Sequence, residues 1–117
     1  MTSPTHLIFT PPQLVLLGLE HDPNAQNETT PYPYVFDRAN GVGLFFDPLH
    51  DMASFRMLER ALTRKGWQVT IFSHPDAAVP FVAVSFSESS YGPGTTPIRS
   101  PDLITAYVAA AFALVSP

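Results

Sequence analysis

The chain contains no cysteine, which removes disulfide scaffolds and thiolate zinc sites together. Charge is scarce as well. Only 14% of residues are Asp, Glu, Lys or Arg, against about a quarter in an average domain. Basic residues are the scarcer sign, six against ten acidic ones for a net charge of −4, which argues against a surface built to hold extended nucleic acid. Long apolar runs are missing too. The longest, Leu103 to Val115, stops short of the roughly 20 residues that a helical membrane span needs. No basic segment precedes the apolar stretch Leu14 to Leu19, and Pro4, Pro11 and Pro12 interrupt its approach, so no signal peptide is read there and a cytoplasmic protein is expected. The Asn27-Glu28-Thr29 sequon then carries no weight.

What is present is ordinary globular material: 117 residues, 45% of them apolar, enough for one core without covalent staples. The 13 prolines punctuate the chain. Thr10-Pro11-Pro12-Gln13 reads as a helix start with a capping box. Leu14, Val15, Leu16 and Leu17 make the short helix apolar nearly all round up to Gly18, so it is expected to be buried. Residues 20–33 lack any apolar period and read as a long loop. Tyr34 to Asp37 and Val42 to Phe46 flank Asn40-Gly41, a hairpin signal. A second helix follows, capped by Asp47-Pro48 or Asp51, with Met52, Phe55, Leu58 and Leu62 on one stripe and Gly66 as its stop.

Trp67, Val69 and Ile71 alternate with Gln68 and Thr70, the pattern of a half-buried strand. After His74-Pro75-Asp76 a second strand has Val82, Val84 and Phe86 on one face, with Phe81, Ala83, Ser85 and Ser87 on the other. The two form an expected antiparallel hairpin. A second long loop covers residues 88–100. Ser100 as cap, Pro101 and Asp102 open the last helix, which carries no charge from Leu103 onward. Such a helix needs cover on every side, from its own chain or from another subunit. Leu103, Tyr107, Ala110, Ala111 and Leu114 are the residues expected at such an interface. The fold class is therefore α/β of the α+β kind. One domain over residues 1–117 is expected, a small and mostly antiparallel sheet sandwiched between helices, with no internal repeats.

This order of elements resembles the phage ABA sandwich domain family, small proteins carried mainly by phages and prophages. The resemblance rests on Gln13-Leu14-Val15-Leu16-Leu17-Gly18-Leu19, on Pro31-Tyr32-Pro33-Tyr34, and on Phe45-Phe46-Asp47-Pro48 with His50-Asp51. It continues through Leu58-Glu59-Arg60-Ala61-Leu62 to Gly66-Trp67 and ends on Pro101-Asp102-Leu103-Ile104 with its alanine run. Phe45-Phe46-Asp47-Pro48 stands where the family tends to have a Tyr-Ser-Thr-Asp start. The family implies helices on both faces of a small sheet, no established activity and no catalytic residues.

Candidate chemistry is sparse. His21-Asp22, His50-Asp51 and His74 with Asp76 are the pairs from which a small hydrolase or a metal site would be assembled. None has the helical spacing that puts two imidazoles on one face, and surface or capping roles are the plainer reading. The serines between Ser85 and Ser90 lack a G-x-S-x-G elbow. Gly92-Pro93-Gly94-Thr95-Thr96 lacks the Lys-Ser/Thr ending of a phosphate loop. No catalytic residue, metal or cofactor is therefore assigned. Arg56, Arg60 and Arg64 stand out, half of the six basic residues in one row along the second helix. Guanidinium forks suit phosphates and carboxylates, and Tyr32, Tyr34 or Tyr91 could stack on a base if the loops fold over the row. A solvated face bonded to acidic loop residues is the plainer alternative. The expected function is a non-catalytic phage or prophage accessory protein that binds a small anion, nucleotide-like, or a host protein. A small hydrolase and an assembly protein acting through homo-oligomers are the other readings.

Overall fold

Local signals at the helix ends decide where each element starts. In the computed structural model, which describes residues 7–25, 29–88 and 94–116, helix α1 (Pro11–Leu16) begins at Thr10, whose backbone N–H donates to Gln13 Oε1 at 2.7 Å. Gly18 takes a left-handed turn at φ 74° to leave it. Leu14 and Leu17 are buried, but Val15 and Leu16 are exposed, so the helix is covered on one side and not all round. Helix α2 (Met52–Arg64) is capped by Asp51, which accepts from Ser54 N–H at 3.2 Å and from the Ser54 hydroxyl at 2.9 Å. It buries Met57, Leu58, Ala61 and Leu62 and leaves Met52 exposed. Helix α3 (Leu103–Leu114) is capped by Asp102 and not Ser100: its carboxylate accepts from Thr105 N–H at 2.8 Å.

The strands form two three-stranded antiparallel sheets where one was expected. The first joins β1 (Glu20–His21), β2 (Tyr34–Asp37) and β3 (Val42–Phe45), with the Asn40-Gly41 hairpin pairing Val35 with Leu44 and Asp37 with Val42. The second joins β4 (Gln68–His74), β5 (Phe81–Ser87) and β6 (Ile98–Ser100) in that order. Both long loops thus contain a short strand: β1 opens residues 20–33, and β6 closes residues 88–100. Glu20-His21 and Ile98-Arg99-Ser100 are too short to show a period, which is why each reads as loop from sequence.

Helix α3 lies on β5 and β6. Its Tyr107 ring sits between Phe86 of β5, at 5.3 Å, and Phe55 of α2, at 5.0 Å. At its other end Phe112 meets Phe9 edge-on at 5.1 Å, and Phe9 in turn meets Phe46 at 5.2 Å. The second sheet on one side and Phe9, Gln13 and Phe55 on the other cover most of the charge-free helix within one chain. Tyr107, Ala110 and Ala111 are therefore core residues and not free for a partner, while Leu103 stays exposed and Leu114 is half-buried. Gln13 fastens this arrangement: its Nε2 donates to Phe112 O at 3.3 Å and to Ser116 Oγ at 2.9 Å. The result is an α+β domain. One strand departs from expectation outright. All seven residues of β4 are exposed, because α3 covers β5 and β6 and stops short of the edge.

Candidate functional site: the arginine face of the second helix

Hairpin β2–β3 positions one end of the arginine row. Inward-facing positions of β2 alternate, so Asp37 points into the protein two residues after Val35 and is 1% exposed. A buried carboxylate needs donors, and Asp37 has four: Arg64 Nη2 at 3.0 Å and Nη1 at 3.1 Å, Asn40 Nδ2 at 2.8 Å and Ala39 N–H at 3.2 Å. Arg64 is thereby fixed as a bidentate partner, and its work is to hold the hairpin against α2. Of the three arginines it is the one that follows the plainer alternative.

Arg56 and Arg60 differ. Both are exposed, and among the described residues neither has an ion pair. Together with Asn40, Glu59, Thr63 and Arg64 they line an open depression of about 390 Å³ between α2 and the hairpin turn. One turn apart on a helix, their Cβ atoms lie about 5–6 Å from each other, close enough for both forks to reach one phosphate or carboxylate. Glu59 alone opposes them there, which leaves the depression net positive. Asn40, Glu59 and Thr63 were not read as site residues from the sequence. For Glu59 and Thr63 a signal was available: positions 56, 59, 60, 63 and 64 follow helical spacing, but as a polar stripe and not an apolar one.

Tyr32 and Tyr34 do not converge on this depression. Tyr34 is half-buried and meets Phe45 edge-on at 5.2 Å. Tyr32 is half-buried as well, its phenol pushed above its ordinary pKa by burial and then by the nearby Asp47 charge. Tyr91 lies outside the described residues. Neither Tyr32 nor Tyr34 lines the depression, so their rings do not stack over a base at Arg56 and Arg60.

His21, His50 and His74 are scattered. His50 pairs with Asp47, Nδ1 to Oδ1 at 3.1 Å, while Asp51 caps α2. His74 stacks on Phe81 with ring centroids 4.5 Å apart. His21 and Asp22 line a shallow surface with Val15 and Phe36, where Glu20 is held by Arg38 at 3.0 Å. Among the described residues no group of three His, Asp or Glu side chains could hold a metal ion. The glycine-rich segment serves strand pairing where it is described: Thr95 N–H donates to Phe86 O at 2.7 Å and Thr95 Oγ1 accepts from Phe86 N–H at 3.0 Å. Among the described residues no helix is long and apolar enough to cross a membrane. Compared with known proteins, the chain matches no family model, no curated protein and no solved structure.

Proposed function

We propose that this chain is a non-catalytic accessory protein that holds a small anion between Arg56 and Arg60. The observation that carries the reading is the division of labour along α2: Arg64 is committed to the buried Asp37, whereas Arg56 and Arg60 face an open depression with no carboxylate bound to them among the described residues. Like charges at this spacing cost a helix a few tenths of a kcal/mol, a cost that an anion bound between them reverses. The depression has the volume of a small-ligand site and not of a groove for a polymer. Phosphate groups of a nucleotide match the paired forks, and so does a carboxylate cluster on a host protein. Neither a histidine nor a cofactor takes part in this reading. Origin in a phage or prophage, and residence in the bacterial cytoplasm, belong to the same proposal and are supported by the sequence segments that resemble the ABA sandwich family.

The test is calorimetric titration of the protein with inorganic pyrophosphate and with adenosine triphosphate, repeated on the variant R56A/R60A. Binding to the native chain and its loss in the variant are expected. Equal heats from both proteins, or none from either ligand, overturn the anion site. Retained pyrophosphate binding with no discrimination for adenosine triphosphate limits the ligand to the phosphate group.

A further inference from the structure

Among the described residues the two sheets present four edge strands, and three of them are blunted. Strand β1 is two residues long, β3 is four with Gly43 inside it, and β6 is three residues between Pro97 and Pro101. Short strands and flanking prolines are the usual means of stopping edge-to-edge pairing. Strand β4 has none of them. It is seven residues, Gln68–His74, with no proline, glycine, lysine or carboxylate, and among the described residues no strand lies beyond it in its sheet.

Which backbone groups face outward follows from the next strand. Phe86 uses both its N–H and its C=O on Thr95, on the side away from β4. It is opposite Val69 in the ladder, so Phe86 and Val69 form a pair without mutual hydrogen bonds. In an antiparallel ladder such pairs alternate. Val69, Ile71 and Ser73 therefore turn their N–H and C=O groups to the open edge. Their side chains lie on the α3 side, opposite Phe86, Val84 and Val82. Val69 is nevertheless 41% and Ile71 47% exposed, and Phe72 on the other face is 53% exposed.

We infer that β4 pairs with β4 of a second copy of this chain, antiparallel and centred on Ile71, to join the two β4–β6 sheets into one of six strands. A two-fold axis at Ile71 sets Ile71 against its own counterpart, Val69 against Ser73 and Thr70 against Phe72 of the second copy. The three outward residues then exchange backbone hydrogen bonds in register. Two-fold symmetry sets any charge at the centre of such a strand directly against itself. A strand free of Lys, Arg, Asp and Glu meets that condition, whereas a foreign acidic or basic peptide would find no complementary charge on it. Seven residues span about 24 Å, and a strip of that length falls below the roughly 1,600 Å² of a standard interface. The pair is therefore a reversible dimer and not an obligate one. This surface is separate from the arginine depression and from the α3 residues expected at an interface.

Sedimentation velocity from about 1 to 500 μM tests it, on the native chain, on I71K, on I71E and on an equal mixture of the two variants. The native chain is expected to shift from monomer to dimer across the series. Each variant alone is expected to remain monomeric with an unchanged circular dichroism spectrum, and the mixture to dimerise through a Lys–Glu pair at the axis. A native chain that stays monomeric throughout overturns the inference. So does I71K dimerising like the native chain, which would place the interface elsewhere. If both variants lose native circular dichroism, V69S/I71T/F72T supplies the decision: a folded, monomeric triple variant supports the pairing, and one that dimerises like the native chain overturns it.

Discussion

Asp37 and Arg64 meet through two N–H···O contacts of 3.0 and 3.1 Å, across 27 positions of sequence. The carboxylate is buried and the guanidinium partly open to solvent, so the two sides of the pair are unequal. Removing the cation strands a buried charge, which in fully enclosed pairs costs about 3–5 kcal/mol. Solvent at the Arg64 end lowers that figure.

For R64A the expected loss is about 2 kcal/mol of unfolding free energy, read from urea denaturation at pH 7. Pyrophosphate affinity should change little, because Arg56 and Arg60 stay in place. A variant that remains as stable as the native chain would show that the pair contributes nothing net. A variant that is equally stable but cannot bind pyrophosphate would move Arg64 from a structural role into the anion site.

R60Q carries the opposite sign. Arg60 stands one turn from Arg56 and one turn from Arg64 on the same helix, and each such like-charge contact costs about 0.2–0.5 kcal/mol. Its replacement by a neutral residue of good helix propensity is expected to raise stability by about 0.5 kcal/mol at low salt while weakening pyrophosphate binding. Thermal denaturation in 10 mM and 500 mM salt checks it. The gain should shrink at high salt as the repulsion is screened. Lower stability together with weaker binding would mean that Arg60 has a structural partner after all.

Gln13 does more than the sequence discloses. It is 2% exposed, closes the cap of α1 through Thr10 and donates to Phe112 O and Ser116 Oγ at the end of α3. A lost cap alone costs about 1 kcal/mol. Loss of two further bonds with their acceptors left at a partly buried seam adds about as much again. Q13A is thus expected to cost about 2–3 kcal/mol in urea denaturation, and T10A, which leaves the α3 contacts intact, about 1 kcal/mol or less. Equal effects would reduce Gln13 to its cap.

That contrast marks where sequence reading stops. Caps and hairpins are local, so Thr10 with Gln13, Asp51 before α2 and Asn40-Gly41 between β2 and β3 could all be placed from neighbouring residues. The arginine row was equally legible as a helical repeat. Partners at long separation were not: nothing near Arg64 points to Asp37, and nothing near Gln13 points to Ser116. Alternation in Val69, Thr70 and Ile71 shows that two faces of a strand differ in polarity, but not whether anything covers them, and β4 is covered on neither. A helix without charge likewise states that it must be buried without stating by what. For α3 the answer lies within the chain, in Phe86, Phe55 and Phe9.

Burial of Tyr107 between Phe86 and Phe55 also sets how stability responds to alkali. Removal from water, and secondarily the charge of Glu59, push its phenol up to about 12. In the unfolded chain the group ionises near its ordinary value of about 10. Between these values the unfolded state has released the proton and the folded state has kept it. Fewer protons are then bound by the unfolded chain, and stability falls as pH rises through this window. Below about pH 9 the group contributes no pH dependence. Urea denaturation at pH 8 and pH 11 should show a loss on the order of 1–2 kcal/mol from this group. In Y107F that loss should be markedly smaller, with stability at pH 8 close to native because the ring keeps its contacts. An undiminished alkaline loss in Y107F would assign the effect to other groups.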